Sequence, residues 1–197
     1  MLLKQLSSLK FLLRQGLAIR GHDRDGNLPQ LMELRSEDSP GLRRWLDSNH
    51  YLSPQIVNEM ITLMGNTLLC KLLVRIREAC WYSIIADEIR DISNKEQLTV
   101  TIRWVSDTYE VQEDLIGMIH VPSTTVSTLT ATIKDVLIRC ILPLSNCRGQ
   151  AYDGAANMMG HIRGVATVIE NEHPSVICHL SCSLFCSLSQ SLFTGCC

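Results

Sequence analysis

The sequence predicts an α/β domain on a mixed five-stranded sheet, preceded by a helical region. Three observations carry this. Residues 1–80 run with helical periods and contain two helix starts, Ser39-Pro40 and Ser53-Pro54, each a capping residue followed by Pro at the first helical position. Beyond them the period drops to two: Gln97–Val105 sets Leu98, Val100, Ile102 and Trp104 on one face and Thr99, Thr101 and Arg103 on the other. Two short apolar runs, Gly149–Tyr152 and Val176–His179, each follow a helical stretch, so three consecutive strands give way to alternating helices and strands. The expected organisation is a helical region over 1–80, a sheet domain over 81–190 that is incomplete at its C-terminus, and a divergent tail over 191–197.

In chain order, Leu2–Ile19 carries Leu2, Leu6, Leu9, Leu13 and Leu17 as a helical stripe. Gly21–Asn27 is a polar loop, and Leu28–Leu34 a short helix at best. A helix opens at Pro40 and runs through Trp45. A longer one spans Pro54–Ala79, with Ile56, Met60, Leu63, Met64, Leu68, Leu72 and Ile76 on one face and a kink expected at Gly65. Ser83–Ala86 reads as a buried strand, and Glu110–Val121 as the third strand of a meander. Thr125–Ile141 is helical, with Leu129, Ile133, Val136, Leu137 and Cys140 facing inward. Gly154–Glu172 is helical with a break at Gly160 or Gly164, and Ser181–Phe193 also suits a helix.

Composition bounds the function. The chain has 197 residues, 46% apolar and 19% charged, enough for a real core and against wholesale disorder. A net charge of −2 argues against a strongly basic nucleic-acid footprint. No apolar run reaches the roughly eighteen residues of a membrane span. The opening MLLKQLSSLKFLLRQGL, with Lys4, Lys10 and Arg14 spread along it, reads as an amphipathic helix and not as a signal peptide. Without a secretory signal, the nine Cys are expected as reduced thiols in an intracellular protein, nuclear or cytoplasmic. The glycines of Gly149–Gly154 and Gly160–Gly164 lack a phosphate-loop Lys, and no G-x-S-x-G elbow exists, so no small-molecule substrate is predicted.

The chemistry-bearing residues are acids. Asp87, Glu88 and Asp91 crowd the end of the apolar run WYSIIA, where mutual repulsion and burial make carboxylates costly. Asp153 stands at the next strand-to-helix turn but one. The strand order matches the RNase H-like fold, in which the first strand is central and the fourth lies beside it and parallel. Acids at the ends of those two strands form a pair of hard oxygen donors suited to Mg²⁺ or Mn²⁺. The competing reading is structural: Asp87 ends a strand and Asp153 caps the following helix.

Several stretches resemble the hAT superfamily of DNA transposases, in particular the branch with the DUF4371 domain found in zinc finger MYM-type protein 1 and its relatives. They are Phe11–Gly21, Trp45-Leu46, Asn58-Glu59, Tyr82–Ser93 (YSIIADEIRDIS), Asn94–Leu98, Asp114–Gly117 and Asn146–Met158 (NCRGQAYDGAANM). The resemblance implies an RNase H-like core using three carboxylates, with Asp87 as the first and Asp153 as the second. It implies a third, a Glu, far downstream of the point where this sequence stops, and Glu170 and Glu172 sit on the wrong helix to replace it. The family's C-terminal dimerisation segment and N-terminal zinc finger are also missing from the sequence.

The tail departs from the family, whose relatives carry His-Cys-x-x-His after the fifth strand. Here both His positions are Cys, Cys178 and Cys182, the Cys is His179, and the Asn of the following Leu-Asn-Leu is Phe185. Cys178, His179, Cys182 and Cys186 fall at near-helical spacing and are soft donors for Zn²⁺. Packing as small apolar groups is the preferred reading, because no paired C-x-x-C is present. The expectation is a truncated transposase-like domain without transposition or nuclease activity, retaining divalent-metal binding at Asp87 and Asp153 or weak DNA binding. The alternative is a protein-interaction module with a protein partner, domesticated from a transposon.

Overall fold

The computed structural model describes residues 1–21, 26–47, 51–90, 95–152, 155–160 and 164–180, without the side chains of residues 156, 179 and 180. Within them run α1 (Leu2–Arg14), α2 (Asn27–Glu37), α3 (Pro40–Asp47), α4 (Pro54–Glu78), β1 (Tyr82–Arg90), β2 (Glu96–Val105), β3 (Val111–His120), α5 (Val126–Arg139), β4 (Cys147–Tyr152), α6 (Ala156–Met159), α7 (Val165–Glu172) and β5 (Ile177–Leu180). The chain divides into two compact units, Met1–Leu69 and Cys70–Cys197.

The helical unit closes on Leu9 and Leu12 of α1, Leu28 and Met32 of α2, Leu42 of α3 and Val57 of α4. The buried face of α1 is Gln5, Ser8, Leu9 and Leu12, so the leucine stripe expected at Leu2, Leu13 and Leu17 points outward. Two polar residues share that burial, each with a hydrogen bond, while Gln5 Oε1 is buried without a partner among the described residues. Gln5 Nε2 donates to the Tyr51 carbonyl at 2.7 Å, and Ser8 Oγ donates to the Lys4 carbonyl while accepting from Arg35 Nη1. The same guanidinium reaches the Lys4 carbonyl and Ser7 Oγ, tying α2 to α1. That tie, with Leu28 and Met32 one turn apart, makes α2 longer than its own helical signal predicts, tertiary contacts overriding weak propensity.

α4 runs unbroken through Gly65 and crosses the boundary between the units. No single face of it is buried: Val57 enters the helical core, Leu73 and Ile76 are buried in the second unit, and Leu63 and Leu68 between them are exposed. Among the described helices α4 alone is long and apolar enough to cross a bilayer.

The sheet has the order β3-β2-β1-β4-β5, with β1–β2 and β2–β3 antiparallel and β1–β4 and β4–β5 parallel. This is the mixed five-stranded sheet that the sequence predicts. β1 extends to Arg90, beyond the Ser83–Ala86 core expected for it, because β2 pairs with it along its whole length. One face is the core: Tyr82, Ile84 and Ala86 of β1, Leu98, Val100, Ile102 and Trp104 of β2, and Gln150 and Tyr152 of β4. α5 and α7 pack on this inner face. In the second unit Arg75 of α4 lies 5.0 Å from the Trp104 ring centroid, and Arg77 donates to the Cys140 carbonyl. The opposite, outer face carries Ile85 and Asp87 of β1, Thr99 and Thr101 of β2, Leu115 and Met118 of β3, Ala151 of β4 and Ile177 of β5. Leu115, Met118 and Ile177 there are exposed.

Two turns are made by residues that favour neither. α5 ends in a Schellman motif, with Leu142 N–H bonding the Leu137 carbonyl and Ile141 N–H the Ile138 carbonyl. The C′ residue is Ile141, at φ 55°, where glycine is usual and a β-branched side chain is strained. The β2–β3 hairpin closes between Ser106 and Glu110 with Tyr109, at φ 61°, in the corresponding left-handed position. The left-handed backbone costs roughly 1–2 kcal/mol. Leu129, Ile133 and Leu137, fully buried on α5, contribute on the order of 1.5–3 kcal/mol each, so the helix holds its end despite the strain.

Ile141→Gly and Tyr109→Gly should each stabilise the fold, by roughly 0.5–1 kcal/mol after the larger chain entropy of glycine is discounted. At about 2–4 °C per kcal/mol for a chain of this size, thermal denaturation should show a small rise in Tm for each.

Candidate acidic site at the ends of the central strands

β1 and β4 run parallel with Ile84 opposite Gln150, Ile85 opposite Ala151, and Ala86 opposite Tyr152. This close approach needs Gly149, where a Cβ would come within 2.8 Å of Ser83 Oγ. The ladder ends at the pair Ala86–Tyr152, and each strand is followed in sequence by an acid, Asp87 and Asp153. Asp87 is still in β1, opposite Thr99, whose hydroxyl donates to the Asp87 carbonyl at 3.0 Å. It is half-buried and on the outer face. Glu88, opposite Leu98, alternates to the other side, so the two consecutive acids do not share a face. Asp153 and Asp91 lie outside the described residues.

What fixes the end of β4 is a buried polar chain. The Tyr152 hydroxyl donates to Gln150 Oε1 at 2.8 Å, and Gln150 Nε2 donates to the Ala166 carbonyl of α7 at 2.9 Å. Both side chains are buried. The sequence reading treats this stretch only as a strand and misses the network. Its signal is a Gln two residues before a Tyr in a short buried strand, a spacing that puts both on one face. At the other end of the ladder, buried Cys147 and Tyr82 close the inner face, with the Tyr82 hydroxyl donating to the Leu142 and Pro143 carbonyls. Burial pushes the Cys147 thiol up to about 11 and the hydroxyls of Tyr82 and Tyr152 well above their ordinary value.

Of the soft donors, Cys178 lies on β5 opposite Gln150, with Sγ 3.7 Å from Met159 Sδ. Burial, with the negative charge of Glu170 adding, raises its thiol. His179 follows it in β5 opposite Ala151. Its side chain, Cys182 and Cys186 are outside the described residues. Among the described residues no three His, Cys, Asp or Glu side chains come together as a metal-holding group.

Tyr152→Phe removes the donor to a buried amide oxygen and should cost about 1–3 kcal/mol in chemical denaturation. The native state also holds the Cys147 proton more tightly than the unfolded chain, whose thiol titrates at 9.0. Stability should therefore be intact below pH 9.0 and fall as pH rises toward about 11. Tyr82 and Tyr152 act with the same sign, so Cys147→Ala should shallow this alkaline slope without abolishing it.

Comparison with known proteins agrees with this architecture. The family described as "DUF4371: ZMYM1/FAM200, RNase-like domain" matches residues 1–164, a span that includes β1, β4 and both acids. The "52 kDa repressor of the inhibitor of the protein kinase" of Mus musculus is 23% identical over 207 residues, covering 96% of this chain and 27% of that protein. The protein of the same name from Homo sapiens is 25% identical over 209 residues, with the same coverage of 96% and 27%. This chain thus spans little more than a quarter of the length of either relative. It belongs to the DUF4371 family of RNase-like domains, within the hAT transposase-derived proteins that its motifs resemble.

Proposed function

We propose that this chain is an RNase H-like domain of transposon origin that holds a divalent cation between Asp87 and Asp153 and neither transposes nor cuts DNA. The observation that carries the reading is the β1–β4 register, which ends at Ala86–Tyr152 with an acid next in the sequence after each of those two residues. Two carboxylates are hard donors of the kind Mg²⁺ and Mn²⁺ take. On the outer face Asp87 has the short side chain of Thr99 opposite it, with Ala151 one strand over, which leaves room for a hydrated ion. Bound there, the ion supplies a positive centre that attracts phosphate oxygens. Asp87 contributes one donor, held in place by its strand pairing with Thr99. The three-carboxylate site that the resemblance implies also needs a third acid, and neither Glu170 nor Glu172 takes that role, since both belong to α7 on the inner face. DNA contact is then weak and carried by the ion and local cations, in line with the net charge of −2.

A second reading, a protein-interaction module, is favoured by the outer face. Leu115 and Met118 of β3 on it are 52% and 59% exposed, and Ile177 of β5, at the other edge of the sheet, is exposed too. Apolar groups grouped on one open sheet face suit burial against a partner.

Isothermal titration of Mn²⁺ into the full chain, beside an Asp87→Asn, Asp153→Asn double variant, tests the first reading. Saturable binding should be present in the wild type and lost in the double variant, and supercoiled DNA with Mn²⁺ should stay un-nicked. A folded wild type that takes up no Mn²⁺ would sink the metal site and leave the outer face as the functional surface.

A further inference from the structure

We propose that Tyr109, at the tip of the β2–β3 hairpin, is a phosphorylation site for a tyrosine kinase. The chain has four tyrosines, and the fold treats them differently. Tyr82 and Tyr152 are buried, with their hydroxyls on the Leu142 and Pro143 carbonyls and on Gln150 Oε1. Tyr51 is half-exposed and stacks on Trp45, with ring centroids 5.6 Å apart. Tyr109 is 90% exposed. Its ring therefore adds almost nothing to packing, and glycine would relieve its left-handed backbone, φ 61°. Stability does not account for a tyrosine at this position, whereas access by an enzyme does.

Two further features point to a kinase. The first is charge. The segment Ser106–Asp114 (SDTYEVQED) carries Asp107, Glu110, Glu113 and Asp114 and no Lys or Arg. Arg103 pairs with Glu113, and the Trp104 indole donates to Asp114. Asp107 and Glu110, both exposed and flanking Tyr109, are then the charges that a partner reads. Charge patterns around the acceptor residue are a means by which kinases choose substrates, and this one suits a basic substrate groove. The second feature is backbone shape. The chain leaves Tyr109 directly into β3, an edge strand whose neighbour in the sheet is β2. Val111, the first residue of β3, is 65% exposed. An enzyme that holds its substrate extended can add to that open edge without breaking the β2–β3 ladder. In the reaction the Tyr109 phenol oxygen bonds to the γ-phosphorus of ATP as the bond to the ADP oxygen breaks, and the phenol proton passes to a carboxylate of the kinase. The product carries roughly −1.5 to −2 charge at neutral pH. Asp107 and Glu110 repel that group, which keeps it in solvent for an arginine-lined pocket of a partner domain.

The test is incubation of the folded full chain with ATP and a purified tyrosine kinase that prefers acidic substrates, with the sites mapped by mass spectrometry. Phosphate should enter at Tyr109 about tenfold faster than at Tyr51, whose stack on Trp45 must open first. None should enter at Tyr82 or Tyr152. Tyr109→Phe should abolish the fast labelling and leave Tm unchanged. Asp107→Asn combined with Glu110→Gln keeps Tyr109 exposed, yet kcat/KM should fall about fivefold, mainly through KM. Exposure alone predicts no such fall. The full chain recovered from cells treated with a tyrosine-phosphatase inhibitor should carry the same group, and a purified tyrosine phosphatase should remove it. A folded wild type that takes no phosphate at Tyr109, or takes it first at Tyr51, overturns the proposal. So does a charge variant labelled at the wild-type rate, or a group on Tyr109 that resists the phosphatase, as a sulfate ester would.

Discussion

The parallel pairing of β1 with β4 is the constraint on which the second unit depends. Among the described residues it is the strand pairing that joins the meander of β1, β2 and β3 to the strands that follow. The seam is narrow because Gly149 has no Cβ to strike Ser83 Oγ. It is pinned from the inner side by the Tyr152–Gln150–Ala166 chain of hydrogen bonds. Buried polar groups of this kind are costly unless all are matched, and matched they specify one register. That register, in turn, decides which residues stand level at the strand ends. A slip by one would turn Asp87 to the inner face and Ala86 outward.

The same logic runs through the helical unit on a different scale. Leucines alone leave α1 free to roll, since Leu2, Leu6, Leu13 and Leu17 offer an apolar stripe as good as Leu9 and Leu12. The rotation that forms is the one in which Gln5 Nε2 reaches the Tyr51 carbonyl and Arg35 of α2 reaches the Lys4 carbonyl and Ser8 Oγ. Losing the Tyr51 contact would leave Gln5 Nε2 buried without a partner, at a cost of roughly 1–3 kcal/mol.

The two faces of the sheet differ in what they ask of a partner. The inner face is closed by α5 and α7 and contains the largest fully buried side chains of the unit, Tyr152, Ile84, Leu98 and Ile133 among them. The outer face mixes a carboxylate, threonines and exposed apolar residues, with the ion pair Arg103–Glu113 crossing from β2 to β3. A surface of that composition serves a charged or partly apolar ligand better than it serves as a core. The apolar groove at the end of α5, beside the left-handed Ile141, is a third environment.

Strand identity and order, the inward residues of α5 and the two Ser-Pro helix starts were all legible in the sequence, because each rests on local period or local capping geometry that no tertiary contact needs to supply. The resemblance in YSIIADEIRD and NCRGQAYDGAANM likewise marked Asp87 and Asp153 before any geometry. Other features were decided by tertiary structure alone. β1 is long because β2 pairs with it beyond the buried core, and cross-strand hydrogen bonds are not encoded in the strand's own apolar run. The face α1 buries and the length of α2 follow from polar matches between segments some thirty residues apart or more. α4 has no single buried face because its two ends serve two cores. The sequence by itself therefore determined which elements form and which acids follow Ala86 and Tyr152 in the central strands' sequence. Only the fold decided the register that levels those strand ends and the strained Ile141 beside its groove, since both depend on contacts between residues distant in the chain.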